Sequence, residues 1–295
     1  MKLLLTGGFP FFLTLLASAF LSCTQLEYTA DSPEPITILS YNIRYDNPGD
    51  GASRWDLRKE QVVNLIRFHN SDFVGVQEAL HHQLLYMDEQ LSHMNRIGVG
   101  RDDGVEAGEY SAIYYNSNRF ELVPGTEETI WLSETPDQIE AGWDAALPRI
   151  LTSGKFRRVE DGKEFFIFNT HFDHVGDLAR LESSKLILET IQRKSGDLPV
   201  VVTGDFNVTP ESDPYRVITG EGSPLSDAYF RSEQPHLGPN FTFGGFTVRG
   251  NTQERRIDYI FVNDQVSVKS HAILPYFRDG RYLSDHLPVL SEIQL

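Results

Sequence analysis

Four short apolar runs, Ile36 to Ser40, Asp72 to Val76, Phe165 to Phe168 and Pro199 to Thr203, each give way abruptly to polar residues. Their β-branched and aromatic content predicts buried strands. Helical spacing marks Asp56 to His69, through Val62, Leu65, Ile66 and His69, and His81 to Leu91, through Leu84, Leu85, Met87 and Leu91. Leu178 to Arg193 reads as a third helix. Tyr110 to Tyr115, Phe120 to Val123, Glu128 to Leu132 and Leu151 to Val159 read as strands joined by hairpins, and Ile257 to Val262, Val266 to Ala272 and Leu287 to Ile293 complete the set. Few helices among many adjacent strands favour two packed sheets, antiparallel or mixed, with helices outside.

The first residues have a different pattern. Met1-Lys2 begin with positive charge, and Leu3 to Leu21 is apolar and almost uncharged, the composition of an export signal. The only cysteine, Cys23, comes after Phe20-Leu21-Ser22, which resembles the lipobox of bacterial lipoproteins with Phe20 in place of the usual aliphatic residue. The expectation is a signal peptide over residues 1–22, a lipidated Cys23, a polar tether over 23–35 and one domain over 36–295. That places the chain in the cell envelope outside the cytoplasm, membrane-anchored through Cys23 and acting as a monomer. An ordinary signal peptide with a chance cysteine would instead make it secreted. A single cysteine excludes an intramolecular disulfide and a cysteine metal site.

The formal charge of −16 argues against nucleic-acid binding through a broad basic surface, which needs many Lys and Arg contacts to phosphates. It leaves room for a local basic cleft. A cluster of acidic metal ligands would add to the negative total, and the bound cation would locally reverse it.

The polar residues at the strand ends carry the chemistry. They are Ser40-Tyr41-Asn42-Ile43-Arg44, Gln77-Glu78, Asn169-Thr170-His171-Phe172-Asp173-His174 and Gly204-Asp205-Phe206-Asn207, with Arg256-Ile257-Asp258 and Ser284-Asp285-His286 later in the chain. Asn, Glu, Asp and His hold hard metals and move protons around a phosphate. Strand ends are where a rigid sheet can aim them.

In this order the motifs resemble the endonuclease/exonuclease/phosphatase superfamily, from about Ile36 to Ile293. The resemblance implies an α/β fold, a four-layer α/β/β/α sandwich, with the site at an edge where the two sheets meet. It implies Glu78 as the principal ligand of Mg2+ or Mn2+, helped by Asn42 and by Asp285 directly or through water. Asp205 would orient or deprotonate the attacking water, Asn207 would donate to the phosphoryl oxygens, and His171 would stabilise developing charge. Asp258 would hold His286 as an acid, base or cation near the phosphate. The reaction implied is in-line hydrolysis of a phosphoester without a covalent enzyme intermediate.

Departures from the family pattern leave alternatives open. Arg44 stands where apurinic-site endonucleases carry an acidic residue, and either grips a substrate phosphate or is a solvated charge. Tyr110 stands where some family nucleases place a phosphate-binding tyrosine, with a packing role equally open. Asp173 and His174 either add a metal or substrate contact or form a turn before the helix, the turn being favoured.

Three functions are consistent with these residues. The first is a phosphodiesterase or nuclease. The second is a phosphatase or phospholipase C-like enzyme acting on a lipid, inositol or sugar phosphate. The third, a non-catalytic binding lipoprotein, is opposed by the intact motif set. Specificity is assigned to the loops Tyr45 to Arg58, Arg101 to Glu109, Ser133 to Arg149 and Arg231 to Arg255, whose Trp55, Trp143, Phe241, Phe243, Phe246 and several arginines stack on bases or sugars, touch a lipid headgroup or simply pack the loops.

Overall fold

The strand-like runs build two sheets that share a buried face in this computed structural model, which describes residues 33–248 and 254–295. The expected signal peptide, Cys23 and the tether up to residue 32 lie outside the described residues. In chain order the strands are β1 Ile36–Asn42, β2 Phe73–Ala79, β3 Met94–Ile97, β4 Tyr110–Asn116, β5 Phe120–Leu122, β6 Glu128–Trp131, β7 Ile150–Arg158 and β8 Glu164–His171. They continue with β9 Val200–Asp205, β10 Leu225–Asp227, β11 Asp258–Asn263, β12 Ser267–Ile273, β13 Phe277–Arg278, β14 Arg281–Tyr282 and β15 Val289–Gln294. The helices are α1 Trp55–Phe68, α2 His81–Gln90, α3 Asp177–Ser195, α4 Asp213–Thr219 and α5 Ala228–Arg231.

One sheet has the order β12-β15-β1-β2-β4-β3, the other β10-β11-β9-β8-β7-β5 with β6 also paired to β7. Between them Ile36, Ile38, Phe73 and Ile113 pack on Phe156, Phe165, Ile167, Val201 and Ile260. Val62, Leu65 and Ile66 of α1 and Leu84 and Met87 of α2 cover the outer face of the first sheet. Ile187 and Ile191 of α3 and Tyr215 and Ile218 of α4 cover the second. The layers are therefore α/β/β/α.

Among the described residues the parallel pairs are β1–β2 and β8–β9, joined by α1 and α3 respectively. A parallel pair requires such a crossover, and it brings two carboxyl ends to the same edge. Asn42 thus sits beside Gln77, and His171 beside Asp205. Antiparallel β11 starts at Asp258 opposite Asp205, and β15 starts near Ser40, so the segments before both strands arrive at that edge as well.

The two sheets approach closely beneath the site. A Cβ on Gly75 would lie 2.0 Å from Thr203 Oγ1 and 2.7 Å from Asn169 Oδ1. Asn169 donates to the carbonyls of Val76 and Ala112, at 2.9 and 2.8 Å, and accepts from Gln77 Nε2 at 2.7 Å. This buried amide pair ties one sheet to the other through these bonds, while Gln77 Oε1 has no partner among the described residues. Strands β3, β10, β13 and β14 and the short helices α4 and α5 are additions to the elements that the sequence predicts; α4 has only 7 residues, too few for a helical period to show. Its Ser212 cap accepts from Tyr215 N, and its first turn holds Pro214. Trp55, which the sequence assigns to a loop, begins α1 and is buried.

Candidate active site

Asp205 lies at the centre of the edge where the strand ends meet. Its Oδ2 accepts from Asn42 Nδ2 at 2.9 Å and lies 3.4 Å from His171 Nε2 and 3.6 Å from His286 Nε2. Its Oδ1 accepts from the backbone N–H of Asn207 at 3.0 Å. Asn207 Nδ2 in turn donates to Phe172 O at 3.1 Å and lies 3.2 Å from His171 Nε2. Asp258 Oδ2 holds His286 Nδ1 at 2.8 Å, so Nε2 of that ring faces Asp205.

Glu78 occupies a bulge where the register of β2 against β4 shifts between Gln77 and Ala79. Its φ is +64°, and those of Arg44 and Asn207 are +59° and +51°. Left-handed backbone is uncommon for Glu and Arg, and its concentration here is the kind of strain that functional sites hold. Glu78 Oε1 accepts from Asn42 Nδ2 at 3.0 Å and Oε2 from Tyr45 N at 3.1 Å. The Arg44 guanidinium lies between carboxylates, 3.2 Å from Asp50, 3.6 Å from Glu78 and 3.7 Å from Asp285.

Two of the candidates have partners that set them apart from the rest. Asn42 Oδ1 accepts from Arg44 N at 3.0 Å, which turns the amide nitrogen toward both carboxylates. Asn42 thus bridges Glu78 and Asp205 through its amide nitrogen. Tyr110 points to the helix-covered face of its sheet, where its hydroxyl donates to Val105 O at 2.9 Å and lies 3.1 Å from His81 Nδ1. It packs outside the cleft. The other candidates, Glu78, His171, Asp205, Asn207, Asp258, Asp285, His286 and Arg44, converge on the edge.

Glu109, Arg149 and Arg58 lie in the loops given a specificity role, but the sequence singles out none of them as a site residue. Glu109 pairs with Arg101 through bonds of 2.8 and 3.1 Å and lies 3.8 Å from His171 Nδ1. It immediately precedes β4, antiparallel to β2, so the strand-end logic extended to strand starts would have found it. Arg58 is buried in α1 and donates to carbonyls only: those of Ser53 and Arg44 at 2.8 Å, of Leu283 at 3.3 Å, and of Ile43. It clamps the segments that carry Asn42 and Asp285. Ser284 Oγ reinforces the join by donating to Asn42 O at 2.7 Å.

Burial dominates the electrostatics. It raises Asp205, and Asp258 raises it further against the opposing pull of His286. Burial alone would depress His286, but the carboxylates of Asp258 and Asp205 outweigh it and hold the imidazole well above its ordinary value. His171 is pushed well down by burial and then by Arg149 and Arg101, so it stays neutral. Glu78 is raised by burial but brought net lower by His286, Asn42 and Arg44. The result is a cationic ring, a neutral ring and an ionised glutamate within one cluster.

Glu78, Asp205 and His286 each offer a ligand atom within 4.8 Å of the others, and this buried group could hold a metal ion. Carboxylate oxygens with Asp285 adjacent match the oxygen preference of a hard divalent cation. The cleft over them has a volume of about 720 Å3, with Arg149, His174, Arg180, Phe243 and Arg255 on its walls. The Phe243 ring meets His286 edge-on at 4.9 Å, and Arg255 lies over Phe243 at 5.1 Å.

Residues 39–286 match the family model described as the endonuclease/exonuclease/phosphatase family. A member of that family from Bacteroides vulgatus is 42% identical, with a TM-score of 0.85 over 89% of this chain and 100% of the other. A mannosyl-6-phosphatase of Bacteroides thetaiotaomicron is 38% identical, with a TM-score of 0.82 over 88% of this chain and 100% of the other. Nocturnin of Drosophila melanogaster is 23% identical over 88% of this chain, which spans 46% of that protein. The strand-end constellation, the four layers and these matches agree: the chain belongs to the endonuclease/exonuclease/phosphatase family.

Proposed function

We propose that the protein is a divalent-metal-dependent phosphoester hydrolase whose substrate is a phosphomonoester of a sugar. The observation that carries the reaction class is the set of contacts at Asp205 Oδ2, a buried carboxylate between two imidazoles and beside Glu78. Support for a sugar monoester comes from the 38% identity to a mannosyl-6-phosphatase across its full length, together with the acidic net charge of −16.

Glu78 and Asp285 would hold the cation, which when bound supplies positive charge to the phosphoryl and leaving oxygens. Asp205 orients the attacking water and takes its proton as the new P–O bond forms. His286, kept cationic by Asp258, faces the phosphoryl group and offsets its growing charge. Asn207 donates to a non-bridging oxygen, neutral His171 positions that amide by accepting from its Nδ2 at Nε2, and the bond to the sugar oxygen breaks on the opposite side. The sugar oxygen leaves with a proton from solvent.

The test compares mannose 6-phosphate, glucose 6-phosphate, bis(p-nitrophenyl) phosphate and RNA with Mg2+ or Mn2+, then with EDTA. The proposal expects kcat/KM for a sugar phosphate at least about tenfold above either diester, lost in EDTA and restored by Mg2+. Faster cleavage of the diesters would return the substrate to the nuclease reading, and activity unchanged in EDTA would remove the metal. Membrane attachment through Cys23 is part of the same proposal, motivated by Ser22-Cys23 after an apolar leader. A Cys23→Ser chain that still partitions into membranes would count against it.

A further inference from the structure

Arg149 contains a buried guanidinium nitrogen, Nη1, that has no hydrogen-bond partner among the described residues. Its other nitrogens are engaged: Nε lies 3.4 Å from Asp173 Oδ2, and Nη2 donates to His174 Nδ1 at 3.0 Å. Because an arginine can only donate, His174 must accept at Nδ1, which places the ring proton on Nε2. His174 is half exposed and lines the same cleft as Arg149. Arg180 lines it too, held by a 3.0 Å bond to Asp173 O and by Asp177.

Asp173 explains how this wall is built. Its Oδ1 accepts from Val175 N and Gly176 N at 2.9 and 2.8 Å, forming the turn expected before α3, and its Oδ2 faces Arg149. Both oxygens are thereby committed, so the buried carboxylate offers no acceptor to the cleft. Asp177 is 94% exposed, where solvent screens it. What remains is a wall of donors, Arg149, His174 and Arg180, next to a catalytic edge that is rich in carboxylates. Donors that converge on one part of a cleft are satisfied better by an oxyanion than by a hydroxyl, because it presents several lone pairs to them.

We infer that Arg149, His174 and Arg180 form a second oxyanion subsite in the cleft, which holds a phosphate or carboxylate carried by the substrate apart from the bond that is hydrolysed. This rests on the phosphoester-hydrolase reading of the catalytic edge, and it narrows the substrate to a phosphate ester with a second anionic group.

The test measures binding by calorimetry to the Asp205→Asn chain with Mg2+, using glucose 6-phosphate, glucose 1,6-bisphosphate and 6-phosphogluconate. The bisphosphate and the phosphogluconate separate a phosphate from a carboxylate at the second position. At least one should bind about tenfold or more tighter than glucose 6-phosphate. Arg180→Gln and His174→Ala, each added to that chain, should reduce this ratio to about twofold or less. His174→Ala alters a half-exposed side chain, so the ratio stays readable even where Arg180→Gln fails to fold. Equal affinities for all three ligands, or a ratio that survives both substitutions, would overturn the subsite. Residual hydrolysis in Asp205→Asn would count against the proposed role of Asp205 while leaving the affinity ratio as a test of the subsite.

Discussion

Asp258 and Asp205 are paired across β11 and β9, and one hydrogen-bonds His286 Nδ1 at 2.8 Å while the other faces His286 Nε2 at 3.6 Å. One imidazole is held between two carboxylates by the register of a single strand pair. Asp258→Asn would turn an amide donor or a weaker acceptor toward Nδ1 and remove the charge that keeps the ring cationic. We expect kcat to fall by about 10²–10⁴ with KM little changed, and the pH limb assigned to His286 to shift downward. Steady-state kinetics across pH checks both. The double variant with His286→Ala should be no slower than His286→Ala alone, since the two residues act as a unit.

Arg58 reaches carbonyls from both segments that flank the site. Arg58→Met leaves the carbonyls of Ile43, Arg44 and Leu283 without that donor. We expect a loss of about 2–4 kcal/mol in urea denaturation, with kcat reduced because Asn42 and Asp285 are no longer held in register. Arg58→Lys should recover part of both. An unchanged denaturation midpoint in Arg58→Met would dismiss the clamp.

Gly75 marks the closest approach of the sheets. Gly75→Ala would place a Cβ 2.0 Å from Thr203 Oγ1 and 2.8 Å from Thr203 Cβ, so the sheets must part. The expected cost is about 3 kcal/mol or more, at the upper end of overpacking. Gly162→Ala is the contrast, with φ +74° but open space around it, and should cost only about 1–2 kcal/mol of backbone strain. Thermal denaturation of the two variants gives the comparison directly.

His271 is buried with its Nδ1 2.9 Å from Nδ1 of His236, whose Nε2 lies 3.0 Å from Pro239 O. His236 therefore carries its proton on Nε2, and His271 is the donor between them. Burial, then His236, pushes His271 down to about 3. The folded state resists protonation that the unfolded chain accepts near 6.5, so this stability is full above that pH and is lost as pH falls toward 3. Between pH 6.5 and 5 the loss from this one group is about 2 kcal/mol. Urea titrations at both pH values should show it in the wild type and not in His271→Gln.

Much of the site is legible in the sequence because four of its residues come after apolar runs at strand ends, while Asp258, Asp285 and His286, which begin or precede strands, stand in the Arg-Ile-Asp and Ser-Asp-His motifs. Asn42, Glu78, His171 and Asp205 lie at the ends of β1, β2, β8 and β9, and the two parallel pairings bring them together. The residues that escape have no local signature. Glu109 precedes a strand without belonging to any of the polar motifs, and Arg149 is one of several arginines in loops of ordinary composition. Arg58 looks in sequence like any charged position of an amphipathic helix, yet it is 5% exposed.

By itself the sequence determined the order of elements, the layered class and the residue types gathered at one edge, because strand periodicity and strand endings are local properties of the chain. Only the tertiary structure decided which way each side chain points. Tyr110 sits on the helix-covered face of β4, and Asn42 turns its nitrogen to the carboxylates because Arg44 N–H claims its oxygen. In sequence His174 reads as part of a turn, and in the fold it lines the cleft because Asp173 makes the turn while fixing Arg149 behind it. Arg149 lies 24 residues from Asp173 in the chain, and Asn42 lies 163 from Asp205. Spacing within a motif cannot encode orientations that depend on partners so distant.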